Sequence, residues 1–190
     1  DLTANAIAEP LAGGTPIDPT GGMADVEARR LRMVSPEAFA RDPLRVLRVA
    51  RLAVELGFMV DPATAAAARE HAPGLRDVSG ERIFAELKRI VGGPDPARGM
   101  ALLDELGAIP VVLPEFEALR GIEQTVYHHK DAHGHTLEVL DRAADLQRDP
   151  AAVLGDAALG ARVAAVLAEP LADDLTRGDA LRWGALLHDI

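Results

Sequence analysis

A carboxylate followed by a row of cations is the arrangement in this chain best suited to chemistry. Asp42-Pro43-Leu44-Arg45-Val46-Leu47-Arg48-Val49-Ala50-Arg51 sets an acid ahead of arginines at 45, 48 and 51. A carboxylate accepts from a base amino group, and a guanidinium fork donates to base acceptors or to phosphate. One acid and one fork, a turn apart, can therefore read the Watson–Crick edge of a nucleotide without a template. The same residues also suit an N-capped helix with solvated arginines. A second set is rich in imidazole: His128, His129, His133 and His135, then His188 beside Asp189. Neutral imidazole and carboxylate are good ligands for divalent metals. Histidines are also ordinary packing groups.

The elements that must position these groups read as helices. Asp42 suits an N-cap, Pro43 the first turn, and Gly57 the stop. At about 100° per residue, each three-residue step drifts back by about 60°, so the arginines fan across one side. Leu47, Ala50 and Leu56 are expected to face a core. Ser35-Pro36 and Asp61-Pro62 start further helices, the latter carrying 63–71 and stopped by Pro73-Gly74. Residues 81–91 are amphipathic through Ile83, Leu87 and Ile90, and end at Gly92-Gly93. Arg82 and Glu86 are spaced for an exposed pair within that helix, and Glu81 and Arg82 are placed for the alternative, contact with a nucleotide or the preceding helix. Asp95-Pro96 starts the next helix, with Met100, Leu103 and Leu106 inward and Gly107 at its end. Residues 1–22 read as a short helix and then a small hairpin or loop, with Asp18-Pro19 as a turn and Asp25 solvated. Residues 148–179 read as one or two small-residue helices with stops at Gly160 and Pro170.

The 190 residues are 48% hydrophobic but only 3% aromatic, so Ala and Leu fill the core and favour closely packed helices. No apolar run of about 18 residues occurs, so no membrane partner is expected. The lack of cysteine excludes disulfides and thiolate metal sites, and with no secretion signal in view it fits the cytoplasm. The net charge of −10 argues against a nucleic-acid-binding surface overall. Within 29–51, however, seven arginines face only Glu37 and Asp42, a local basic patch able to hold phosphates.

Asp42 to Arg51, followed by Leu56-Gly57-Phe58, resembles the "(E)DPLRxLRxxRF…LGF" signature of the bacterial class II nucleotidyltransferases, the CCA-adding tRNA nucleotidyltransferases and related poly(A) polymerases. In that family the Asp and first Arg select CTP and ATP by pairing with the base, and the next arginines line the nucleotide site. The resemblance puts these roles on Asp42, Arg45, Arg48 and Arg51. Arg41 replaces the usual Glu, and Leu52 the usual Phe. Asp1, Asn5, Asp18, Pro19, Gly21, Gly22 and Asp25 are similar to the family's "RRDFTINALA…DPxGGxxDL" segment. The resemblance implies that the phosphate turn and the paired carboxylates for Mg²⁺ precede residue 1. No catalytic residue is then expected in this chain, nor nucleotidyl transfer by it alone. Ser79-Gly80-Glu81-Arg82-Ile83 with Glu86-Leu87 resembles "SxERIxxEL", and Leu106-Gly107-Ala108 with Val112-Leu113-Pro114-Glu115 resembles "LxxxGxLxxxLPE".

Tyr127-His128-His129-Lys130-Asp131 with His135-Thr136-Leu137, and Leu186-Leu187-His188-Asp189-Ile190, resemble the two halves of an HD-domain signature. That all-α phosphohydrolase fold binds metal through H…HD…D. The resemblance implies a divalent metal of unspecified identity on His135, His188 and Asp189, with the fourth ligand beyond Ile190. His135 is favoured over His133 because Thr-Leu and a long helix follow it, as in the family.

The expected fold is mostly α: the end of an α/β nucleotidyltransferase head, a helical neck and body, and a partial all-α HD domain. The expected divisions are 1–34, 35–122 and 123–190. The function implied is that of part of an enzyme adding CCA to tRNA from CTP and ATP. The alternatives are a poly(A) polymerase with the same neck, and an HD phosphohydrolase with RNA-binding helices.

Overall fold

The computed structural model describes residues 1–122, 131–172 and 174–190. It is mostly α-helical. The chain opens with a 3₁₀ turn at Thr3–Asn5 and a bridge pairing Ala8 with Ile17, the short helix and hairpin expected there. Then come α1 (Gly22–Glu27), β1 (Arg30–Leu31), α2 (Ala38–Arg41), α3 (Arg45–Leu56), β2 (Met59–Val60) and α4 (Pro62–His71). β1 and β2 pair in parallel, Arg30 opposite Met59 and Leu31 opposite Val60. Next are α5 (Gly80–Val91), α6 (Pro96–Glu105), α7 (Ile109–Val112), α8 (Pro114–Glu117) and α9 (Ala132–Arg148). A small unit of α10 (Pro150–Leu154), α11 (Ala157–Leu167) and an antiparallel hairpin, β3 (Pro170–Ala172) with β4 (Leu175–Thr176), leads into α12 (Arg177–Leu187).

Aspartates start most of these helices by accepting orphan amides of the first turn. Asp61 accepts from Ala63 and Thr64, Asp95 from Arg98, and Asp131 from Gly134. Thr176 and Asp179 form a capping box on α12. Two starts differ from expectation. After Ser35-Pro36 and after Asp42-Pro43 the chain first makes a turn, and the regular helix begins at Ala38 and at Arg45. Asp42 still accepts the Leu44 amide at 3.3 Å.

α3 is the centre of the packing. Val46, Leu47, Val49, Ala50 and Ala53 are fully buried, leaving one narrow polar sector for Arg45, Arg48 and Glu55. Leu56, expected inward, is instead exposed. It lies nine positions after Leu47, about 180° around the helix, and so falls in the arginine sector. Gly57, at φ 66°, ends α3 in the left-handed conformation that a side chain would oppose.

Ile90, Met100, Leu103 and Leu106 are buried as expected, and the same apolar cluster runs on to Leu140 of α9 and Leu186 of α12. Pro73-Gly74 does not stop the chain's winding; it tightens α4 into a 3₁₀ segment, Ala72–Asp77. Gly160 is not a stop either, for α11 runs through it. A Cβ there would lie 2.5 Å from the Ala151 Cα, so the missing side chain lets α11 touch the α10 backbone. The stop is Gly155, at φ 66°. Among the described residues, no helix is long and apolar enough to cross a membrane.

Candidate functional site

The polar sector of α3 gathers the expected selecting residues. Asp42 lies at the turn before the helix, and Arg45 and Arg48 follow on the same side. Arg48 Nη1 is 3.0 Å from Asp1 Oδ2, and Arg45 Nη1 donates to the Ala38 carbonyl. Arg45 Nε, Arg48 Nε and Asp1 Oδ1 are all buried without a hydrogen-bond partner. Buried polar atoms are normally paired, and each unpaired one costs about 1–3 kcal/mol. Two of these atoms are on α3 and the third is on Asp1, which pairs with Arg48, so this face keeps hydrogen-bonding capacity for a polar ligand; Thr20, Gln147, Arg182 and Trp183 each bury one unpaired atom as well.

Arg51 is set differently from the other two arginines. It is 5% exposed and its guanidinium is shared between Glu86 and Glu55, with Nη1 2.7 Å from Glu55. Glu86 comes from α5, which lies along α3, and Glu55 from α3 itself, one turn on. Arg82 Nη2 donates to Asp42 Oδ2 at 2.9 Å, and Arg89 Nη2 lies 3.0 Å from Glu55. The pair expected between Arg82 and Glu86 therefore does not form. Each side chain crosses to α3 instead, because the acids and bases of α3 lie opposite and give both a partner of opposite sign. Residues 82, 86 and 89 stand at i, i+4 and i+7, so they form one stripe on α5. That spacing was the available signal for these cross-helix partners.

The first 34 residues support this face. Asp25, expected in solvent, is fully buried. It accepts from Thr3 Oγ1 at 2.7 Å, Arg30 Nε at 2.8 Å and Arg32 Nε at 2.9 Å. Burial pushes its carboxyl up, but the hydrogen bonds from Thr3, Arg32 and Arg30 outweigh that and hold the pKa at about 2. Arg30 and Arg32 stand two apart on extended chain, where side chains of alternate residues share a face. That alternation is the signal that they converge on one carboxylate. Asp18 forms the predicted turn, accepting from Gly22 at 2.7 Å and Met23 at 2.9 Å.

The second site joins the start of α9 to the end of α12. One ligand atom from each of His135, His188 and Asp189 lies within 4.8 Å of the others. His188 Nδ1 is 2.8 Å from the Ala185 carbonyl, which can only accept, so Nδ1 carries the proton and Nε2 of the neutral ring has a lone pair. That Nε2 lies 3.3 Å from Asp189 Oδ2. A lone pair facing a carboxylate oxygen at this distance calls for a proton or a metal cation between them, so the donor set fits a divalent ion. Thr136 Oγ1 also approaches Asp189 Oδ2, at 3.5 Å. His133 does not join the cluster. It is buried with its ring 4.3 Å from Phe116, and burial and the nearby Arg120 lower its pKa. His128 and His129 lie outside the described residues. Arg182 ties α12 to the α3–α5 pair by donating to the carbonyls of Val91 and Gly93 at 3.1 and 2.6 Å, which satisfies the C-terminal end of α5.

Residues 57–119 match the protein-family model described as "Probable RNA and SrmB- binding site of polymerase A". Among curated proteins, the Multifunctional CCA protein of Pseudomonas aeruginosa is 40% identical over 197 residues, spanning 100% of this chain and 40% of that protein. The Multifunctional CCA protein of Halorhodospira halophila is 44% identical over 188 residues, 95% of this chain and 42% of that protein. The chain thus spans about 40% of the length of these curated relatives. The crystal structure of the Bacillus stearothermophilus CCA-adding enzyme in complex with CTP is 33% identical, with a TM-score of 0.58 over 82% of this chain and 38% of that one. A tRNA nucleotidyltransferase complexed with a primer tRNA and an incoming ATP analog shares the fold. Its TM-score is 0.70 at 20% identity, over 100% of this chain and 48% of that one.

Proposed function

We propose, because the chain belongs to the CCA-adding enzyme family, that it is the base-selecting part of a tRNA nucleotidyltransferase that adds C, C and A from CTP and ATP. Residues 1–34 close the catalytic head, 35–122 form the neck and body, and 123–190 begin an HD-type domain. Asp42 and Arg45 pair with the incoming base. Arg48 supports the nucleotide, and Arg51, already engaged by Glu86 and Glu55, holds the row in place. The partners are tRNA, CTP and ATP, with phosphate contacts along the arginine side.

The observation that carries this reading is the set of unpaired buried atoms on Arg45, Arg48 and Asp1 beside Asp42. The family's nucleotidyl transfer uses divalent metal, which in this reading is Mg²⁺ on head carboxylates preceding residue 1. A second divalent ion belongs on His135, His188 and Asp189. When bound it would polarise a phosphoryl oxygen and acidify water. The residues' own part is to present two imidazoles and a carboxylate, with His188 oriented by the Ala185 carbonyl.

The full-length protein that carries this chain, given Mg²⁺, CTP, ATP and a tRNA lacking its 3′ end, is expected to stop after CCA. Long A tails would instead make it a poly(A) polymerase, a rival kept open by the description of the family matched at 57–119. No addition, with metal-dependent phosphatase activity intact, would leave an HD phosphohydrolase with RNA-binding helices.

A further inference from the structure

Seven arginines stand between residues 29 and 51, and an incoming phosphate needs one that the protein has not already engaged. Five are engaged: Arg30 and Arg32 by Asp25, Arg45 by the Ala38 carbonyl, Arg48 by Asp1, and Arg51 by Glu55 and Glu86. Arg29 and Arg41 are not. Both are exposed, and among the described residues neither guanidinium has a hydrogen bond or an ion pair.

The two stand at opposite ends of α3. The Arg29 carbonyl accepts the Met59 amide at 2.8 Å, past the C-terminal end of the helix, and the twelve residues of α3 put about 18 Å between that end and Arg45. Arg41 is the last residue of α2 and directly precedes Asp42. No carboxylate pairs with it. Asp42 accepts from the Leu44 amide and from Arg82, and Asp1 is paired with Arg48. Glu37, one turn back, is held low first by its own amide and by the Ser35 side chain, and Arg41 is the smallest of the causes. Burial first, and then the charges of Arg45, Arg48 and Arg41, lower the pKa of the Asp1 amino group, so all three cations act on one point of the chain. They differ in depth. Arg45 and Arg48 are half-buried and keep unpaired Nε atoms inside the face, whereas Arg41 stands in solvent at its edge. A nucleotide fills the inner positions; a strand running over the surface meets the outer one.

We propose that Arg41 binds a backbone phosphate of the RNA primer where that strand enters the face of Asp42, Arg45 and Arg48. Such a contact holds the strand in register without reading its sequence. The inference rests on the base-selecting reading, which brings a tRNA 3′ end to this turn. The family signature has Glu at this position, and a carboxylate there would repel the same phosphate, so the contact belongs to this chain's own Arg41.

The full-length protein is compared as wild type, Arg41→Gln, Arg41→Lys and Asp42→Ala. Binding of a tRNA lacking its 3′ end is titrated at several KCl concentrations, and KM for CTP and ATP is recorded together with incorporation of UTP and GTP. One phosphate contact contributes about 0.7–0.9 to the slope of log affinity against log salt. Arg41→Gln is expected to flatten the slope by that amount, so a fourfold rise in KCl costs it about threefold less affinity than the wild type. Arg41→Lys keeps the charge and is expected to keep the slope. Neither variant is expected to change KM for CTP and ATP or to admit UTP and GTP. A wild-type slope in Arg41→Gln overturns the proposal, and if KM for both nucleotides then rises alike, Arg41 serves the triphosphate instead. Equal flattening in Arg41→Lys also overturns it, since the charge is then not the cause. Asp42→Ala tests the reading beneath: lost selection there keeps the base-selecting role whatever Arg41 does, and unaltered selection overturns that role while the salt slope still decides whether Arg41 holds RNA.

Discussion

The charged groups of α3 and those of the His135–His188–Asp189 cluster are held by opposite means. On α3 and the turn before it most partners come from elsewhere in the chain: Asp1 for Arg48, Glu86 for Arg51, Arg82 for Asp42, with Glu55 of α3 itself as a second partner of Arg51. In the cluster, His188 is oriented by the carbonyl of Ala185, one turn back on its own helix, Asp189 is its immediate neighbour, and only His135 comes from another element, α9. A site held from other elements shares its contacts with the fold, so damage to it is damage to stability. A site oriented by its own backbone can lose a ligand and stay folded. The difference predicts which substitutions unfold the protein and which merely empty a site.

Among the charged groups, the largest effect is expected at Arg51. Arg51→Ala removes a buried cation and leaves Glu86 and Glu55 facing each other, at a cost of about 3 kcal/mol. Urea denaturation of the two proteins measures it. A loss under about 1 kcal/mol would show that the α5 stripe does not hold α3. Asp25 comes next. Its carboxyl is depressed from 3.8 to about 2, so the sign is that of a stabilising anion. Its contribution is present above about pH 4 and lost as pH falls from about 4 to about 2, amounting to about 2 kcal/mol. Asp25→Asn is expected to lower stability at neutral pH and to flatten that acid limb. An unchanged acid limb would mean that the Thr3, Arg30 and Arg32 bonds do not bias the proton.

The histidine cluster is expected to behave the other way. His188→Ala should weaken Mn²⁺ binding, read by calorimetry, by at least tenfold, since even groups behind a metal ligand are worth that much. The thermal midpoint without metal should hardly move. His133→Ala sharpens the contrast. That ring packs on Phe116 outside the cluster, so its loss should cost about 1 kcal/mol of stability and leave metal binding alone. The reverse result would transfer the ligand role to His133.

What could be read from the sequence follows from how local each feature is. The Asp61-Pro62 and Asp95-Pro96 starts, the Gly57 stop and the inward faces of α5 and α6 depend on a few neighbouring residues, and they stand where the sequence puts them. The residues proposed to select the base are legible as a group because Asp42, Arg45 and Arg48 lie within one motif. The stripe of Arg82, Glu86 and Arg89 was visible as a spacing, but the same spacing serves pairs within a helix and pairs across helices. Only the opposing charges of α3 decide between them. Asp25 looked solvated because its donors, Thr3 from one segment and Arg30 and Arg32 from another, converge on it only in the fold. Gly160 looked like a stop because nothing in the α11 sequence shows that the backbone of α10 touches it. Each miss is a matter of what packs against the residue.

The smallest effect is expected at Leu56, where the two kinds of face on α3 meet. Leu47 is fully buried, and Leu47→Ala should cost about 2–5 kcal/mol through lost burial and the cavity left behind. Leu56 is 46% exposed in the sector of Arg45 and Arg48. Leu56→Gln removes little packed surface, keeps a good helix former, and should stay within about 0.5 kcal/mol of the parent. Both substitutions are on one helix, so a denaturation series on the two reads the angular width of the polar sector directly. A cost above about 1.5 kcal/mol at Leu56 would mean that something covers the arginine face. The region in which Arg45, Arg48 and Asp1 keep their unpaired atoms would then not be open to a nucleotide.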